Sequence, residues 1–233
     1  MRKGVVMLID EMTGKLSGYA VLLGYRYSNL CIKAEAMSLL PVVVVDEEND
    51  QYKIEEVSGV MLPNEYQFEI IPANPKLIYH ICKAIQDVHP EFKQEIVKPE
   101  KAEDEEERHI ICTMPEVNKD RRDVMKDAVD ALYKECDLQM KKAFAEYQEK
   151  LISKMVDQPE PDIDEAKKAI EDAYKQHTDM VKAYKENKEN EIEAAYQNYL
   201  TKENAKEQIA KEEQDARGED AGKSMSIDSL IKG

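Results

Sequence analysis

The sequence predicts an α+β protein of two parts: an antiparallel bundle of three long helices, and a small α/β module inserted after the first of them. Apolar residues recur in steps of three and four over three long stretches, the signature of amphipathic helices. Between the first two stretches lies a series of short, branched segments punctuated by Pro and Asn, as strands and turns require. The break between the second and third stretches is short, which favours antiparallel neighbours.

The first stretch follows Asp10. Met12, Leu16, Tyr19, Leu23, Tyr27, Leu30, Ala34 and Met37 share one helical stripe, with an end expected near Ser38. Gly14, Gly18 and Gly24 weaken its intrinsic propensity, so packing must hold it. At Leu39 the pattern changes. LLPVVVV (39–45), YKIEEVSGV (52–60) and the stretch with Tyr66, Phe68 and Ile70 on one face read as strands. KLIYHICKAIQDV, opened by Asn74 and Pro75, reads as a helix with Leu77, Ile78, Ile81, Ala84, Ile85 and Val88 on its apolar side. FKQEIV and HIICTM complete the strands, and the run EDEEE between them reads as an exposed acidic loop.

Helical periodicity returns after Pro115, with Asn118 placed to cap. Met125, Ala128 or Val129, Leu132, Cys136, Met140, Ala143 or Phe144, Tyr147, Leu151 and Met155 draw the second stripe. After DQPEPDID, the third runs through Ile163, Ala166, Ile170, Ala173, His177, Met180 or Val181, Tyr184, Ile192, Ala195 and Tyr199. Lys202 to Arg217 is helix-compatible but densely charged, and the end carries Gly and Ser. A frayed, mobile tail is expected there, with Ile227, Leu230 and Ile231 as a minor docking motif. The expected domains are therefore 9–38 plus 115–200 for the bundle, 39–114 for the module and 201–233 for the extension.

Composition narrows the function. The 233 residues carry 33 Lys plus Arg against 49 Asp plus Glu, a net charge of -16. Only 6 residues are Arg, so a general nucleic-acid coat is excluded. The start, MRKGVVMLIDEM, lacks the apolar run of a signal peptide and no segment is long enough to span a membrane; a cytoplasmic protein is expected. Cys31, Cys82, Cys112 and Cys136 form no CxxC pair and read as reduced, small hydrophobes.

Catalytic chemistry finds no foothold. His80 and Cys82, two apart on the module's helix, point to different sides, and His89, His109 and His177 complete no metal spacing. There is no phosphate loop, HExxH or serine elbow, and neither DEEND nor EDEEE has EF-hand spacing; no cofactor is expected. One phosphate-binding candidate stands out. Arg121 and Arg122 open the second long helix and Lys126, Lys134, Lys141 and Lys142 follow, so that residues 119–154 hold 9 basic and 8 acidic groups in an otherwise acidic chain.

At MPEVNKDRRDVMKDAVDALYKECDLQM the chain resembles the ribosome recycling factor family. The resemblance runs from IKAEAMSLL into the VVVV strand, through YKIEEVSGVMLPNEYQFEIIP to PEVNKDRR and the final helical hairpin, over roughly residues 9 to 200. It implies an L-shaped, two-domain fold and a non-enzymatic monomer that binds the large ribosomal subunit and its rRNA. With a translocation GTPase of the EF-G kind, such a factor separates the subunits after termination. It also implies RNA-binding positions: Lys141 falls at the Arg of the family's arginine-asparagine motif, and Lys33 near an Arg-containing turn. The chain departs from the family there, with Glu35 in that turn, Lys142 for Asn, and Phe144 and Ala145 at later Arg positions. Lys keeps a point charge but not Arg's planar fork, and Phe and Ala keep neither. Arg121, Arg122, Lys141, Lys142 and Lys33 are thus the expected RNA-facing set. A divergent recycling-factor-like binding or regulatory protein, or a helical adaptor with an exposed apolar patch, is the competing reading.

Overall fold

The computed structural model describes residues 3–98, 108–156 and 158–228, with side chains through residue 214. Three long helices, α1 (Lys3–Ser28), α4 (Lys119–Lys154) and α5 (Glu160–Asp228), pack pairwise against one another. Cross-helix pairs give their directions. Lys15 meets Glu146 at 2.9 Å and Arg26 meets Glu135 at 2.7 Å, so α1 and α4 run in opposite senses. Lys126 with Glu193 (2.6 Å) and Lys185 with Asp130 (2.8 Å) give α4 and α5 the same relation.

The stripes form one core. Met12, Leu16, Leu23, Val129, Met140, Ala166, Ile170, Val181 and Ile192 are fully or almost fully buried there. A second core lies in the part between α1 and α4, built on Leu39, Val44, Phe68, Ile70, Ile81, Ile85, Ile110 and Cys112. The chain is thus a helical domain and a separate small β-sheet and helix domain.

Two sheets make up the smaller domain. Strands β1 (Val43–Val45) and β2 (Gln51–Lys53) pair antiparallel, and β3 (Ser58–Asn64), β4 (Gln67–Pro72), β5 (Lys93–Val97) and β6 (His109–Thr113) form an antiparallel sheet in the order β3-β4-β6-β5. The short α2 (Ile54–Val57) links β2 to β3, and α3 (Ile78–Val88) presents Ile81, Ala84 and Ile85 to the core and contacts β1. Asn74 accepts from the Lys76 amide to open the 3-10 turn before α3, and Asn118 accepts from the Arg121 amide at 2.9 Å to open α4.

Some element limits differ from expectation. Helix α1 starts earlier, because Val5 and Leu8 extend its stripe, and it ends at Ser28 instead of near Ser38. Beyond it the chain serves the other core: Cys31 and Ala34 are buried there, and the Ala34 amide donates to Glu65 O at 2.7 Å. Met37, assigned to the stripe, is exposed. LLPVVVV narrows to Val43–Val45, since Leu39 closes a 3-10 turn. The expected strand 52–60 breaks at Ile54, where the Glu56 carboxylate accepts from the Lys53 amide at 2.7 Å and stabilises a helical turn.

Helix α5 runs past Lys202 to Asp228, with pairs such as Lys206 and Glu203 at 2.7 Å supporting an exposed surface. The EDEEE run, Leu230 and Ile231 lie outside the described residues, and the Ile227 side chain outside the described side chains. No described helix is long and apolar enough to cross a membrane.

Candidate nucleic-acid interface and interdomain junction

The five expected RNA-facing residues have different occupations. Arg121 turns inward: its guanidinium donates through Nη2 to the Cys31 carbonyl at 2.7 Å and through Nη1 to the Pro115 carbonyl. It therefore fastens the two chain segments that connect the domains. Burial lowers its pKa, opposed by the nearby charge of Glu91. Arg122 grips Asp123 through Nε (2.9 Å) and Nη2 (2.7 Å) and lies 4.3 Å over the Tyr196 ring. Lys141 is exposed but held 2.6 Å from Asp137, whose carboxylate raises its pKa. Lys142 and Lys33 are exposed, and neither has an ion pair among the described residues.

These positions do not converge on one patch. Arg121 and Lys142 are about 30 Å apart along α4 at 1.5 Å per residue. Their separation of 21 positions leaves them on neighbouring faces of the helix. Lys33 lies two residues from the Cys31 carbonyl that Arg121 holds, at a cavity of about 270 Å³ lined by Cys31, Glu35, Ser38, Tyr66, Lys188 and Asn198 among others. The geometry offers two cationic points on α4 and one at the junction.

Sequence reasoning missed the residues that organise the junction. Lys202, assigned to the tail, pairs with Glu116 at 2.7 Å and lies 4.7 Å over the Tyr66 ring, so α5 touches both the second connection and the smaller domain. His89 is buried, with Nε2 2.7 Å from the Ser38 carbonyl and its ring stacked 4.5 Å from Phe92. Apart from the His89–Phe92 stacking, these contacts join residues remote in sequence, and no local pattern announces them. His177 does follow its position on the third stripe: Nδ1 donates to Ala173 O at 2.8 Å and Nε2 meets the Ser17 hydroxyl at 2.9 Å. Among the described residues no cluster of His, Cys, Asp and Glu is arranged to hold a metal.

With the junction placed, comparison with known proteins becomes decisive. The family model described as ribosome recycling factor matches residues 28–192, well over half of the chain. The chain belongs to the ribosome recycling factor family. Membership gives it a translation-related, non-enzymatic and ribosome-associated role. The matched span is narrower than the resemblance from 9 to 200, and it leaves most of α1 and the far end of α5 outside. A solution structure of the ribosome recycling factor aligns with a TM-score of 0.67 at 15% identity, covering 83% of this chain and 100% of that one. The second is the T. thermophilus ribosome recycling factor, from models with E. coli elongation factor G bound to the E. coli post-termination complex. It aligns with a TM-score of 0.52 at 17% identity, covering 82% of this chain and 98% of the other. At these identities the likeness is one of fold. No curated protein sequence matches the chain.

Proposed function

We propose that this chain is a cytoplasmic, monomeric translation factor that binds the post-termination ribosome and promotes subunit separation together with an EF-G-like translocation GTPase. The observation that carries this reading is the recycling-factor match across both the smaller domain and the helical hairpin. In this reading the bundle, expected over 9–38 plus 115–200 and built from α1, α4 and α5, is a three-helix unit that contacts large-subunit rRNA. The inserted domain (39–114) is the other arm of an L, and 201–233 is an added extension. Motion of the smaller domain about the two connections turns binding into separation.

Because Arg121 is engaged with backbone carbonyls, we assign the RNA contact to Lys141 and Lys142, with Arg122 and Lys33 as separate cationic points toward the other end of α4. A lysine pair gives a point-charge grip, so affinity should fall steeply with salt. The alternative, a recycling-factor-like binding or regulatory protein without recycling activity, is favoured by one contact. Phe144, at a family Arg position, stacks 4.2 Å from Tyr174 and serves packing instead of phosphate.

Subunit splitting of post-termination ribosomes, with purified chain, a matching GTPase and GTP, tests the proposal. Splitting that depends on the chain supports the recycler. Ribosome binding without splitting favours the alternative, and absence of both rejects the ribosomal reading.

A further inference from the structure

Helix α1 has two apolar faces. One is the buried stripe of Met12, Leu16, Ala20, Leu23 and Tyr27. The other is open to solvent. From Gly14 to Ser28 the exposed positions are Gly14, Gly18, Val21, Leu22 and Tyr25, spaced by three and four so that they share one side of the helix, and none is charged. Val21 is 72% exposed, Leu22 46% and Tyr25 42%. A surface helix ordinarily turns charge outward there, and an apolar face without a partner marks an interaction surface. We propose that this face is a self-association site, on which the α1 helices of two copies of the chain pack antiparallel about a dyad at Gly18.

The glycines point to a close neighbour from outside the chain. Gly is an unfavourable residue inside a helix, and a Cβ on Gly14 or Gly18 would meet nothing within 4 Å, so no contact within the chain requires either. Small residues let two helix backbones approach closely. Gly14, Gly18 and Leu22 follow one another at intervals of four. A dyad at Gly18 brings that residue onto its own counterpart and sets the Leu22 side chain of each copy over the bare backbone at Gly14 of the other. The large residue of one chain thus meets the small residue of its mate on both sides of the axis.

Charge selects the occupant and its direction. Asp10 and Glu11 are the only carboxylates of α1 and stand toward one end of the face. Arg26 stands toward the other, with guanidinium donors beyond the one that holds Glu135 at 2.7 Å. Antiparallel packing brings Arg26 of each copy toward Asp10 and Glu11 of the other, whereas parallel packing sets each carboxylate beside its like. Lys3, Lys15 and Arg26 outnumber the two carboxylates, so α1 is spared the net charge of -16 that elsewhere keeps two chains apart. With the exposed Met7 the face runs about 27 Å to Tyr25 at 1.5 Å per residue. A strip of one helix that long makes a small interface, so the pair is weak, with a Kd on the order of tens of micromolar. The pairing belongs to the free chain; the ribosome-bound factor proposed above is one copy.

Sedimentation equilibrium of the full chain from about 1 to 500 µM tests this, and the average mass should rise from one chain toward two. Val21→Glu should weaken the pairing about tenfold, and Ile152→Glu, the same kind of change at an exposed residue of α4, should leave it within about twofold. Gly18→Ala distinguishes pairing from a role in the fold: it should weaken association about tenfold while raising the unfolding midpoint of the single chain, because a methyl has room in one copy and none between two. For the direction, mild oxidation of mixed Gly14→Cys and Leu22→Cys chains should join unlike chains, and Met7→Cys chains should not join one another. A chain that stays single at every concentration overturns the proposal, and flotation of that chain with phosphatidylcholine vesicles would assign the face to lipid. Pairing undiminished in Val21→Glu or Gly18→Ala also overturns it, as does joining through Met7→Cys in place of the mixed pair.

Discussion

Arg121 shows how one side chain's charge is used within the fold. Two main-chain carbonyls from different connections share its guanidinium, so Arg121→Ala leaves both short of a donor. That should cost about 2–3 kcal/mol in urea unfolding, with Arg121→Lys recovering only part because an ammonium lacks the planar fork. By contrast, Lys142→Ala should leave stability within about 0.5 kcal/mol and show itself only in ribosome binding and its salt slope. The carboxylates on α4 make a pH prediction. Hydrogen bonds from Lys134 and Lys185 hold Asp130 down at about 2, and those from Lys150 and Lys15 hold Glu146 at about 2. A folded pKa below the unfolded value stabilises above the unfolded pKa and is lost as pH falls through the folded one. Thermal midpoints should therefore drop between about pH 4 and 2, and less so in Asp130→Asn; an identical acid limb in both proteins would count against these pairs.

At the scale of elements, α1 illustrates a helix stabilised by its partners. Gly18 has open space where a Cβ would go, so Gly18→Ala should raise stability by about 0.5–1 kcal/mol, whereas Met140→Ala on the facing helix should lower it by about 2–5 kcal/mol. Chemical denaturation of the two variants reads both signs. The same contrast explains what was legible in the sequence. Burial repeats along a helix, so Met12, Leu16 and Leu23, or Met140, Tyr147 and Leu151, declare their element without a structure. An end is set by contacts made elsewhere. Leu30 and Ala34 continue the period of α1, but Ala34 bonds to Glu65, and that pairing takes the chain out of the helix. The site was legible in types more than in places: the cations of α4 were found, but the inward turn of Arg121 depends on carbonyls at Cys31 and Pro115 that no spacing rule connects.

In the molecule as a whole, the smaller domain is held by chain segments on either side of it and by Lys202 from α5. Replacing Tyr66 and Lys202 together by Cys gives two thiols that a bifunctional, reductively cleavable thiol crosslinker can join between α5 and that domain. If domain motion drives separation, closing the crosslink should abolish splitting while large-subunit binding stays within about twofold, and cleaving it should restore splitting. Equal splitting in both states rejects the lever. The clamp made by Arg121 has a mechanical corollary. A body hung from one strand swivels freely about it, but one hung from two strands pinned side by side turns about neither without twisting both. Pinned at Cys31 and Pro115, the connections should act as a strap, more compliant to a nod across their shared plane than to torsion. On that expectation a push on the smaller domain is turned mainly into one tilt, against the Lys202 contact from α5.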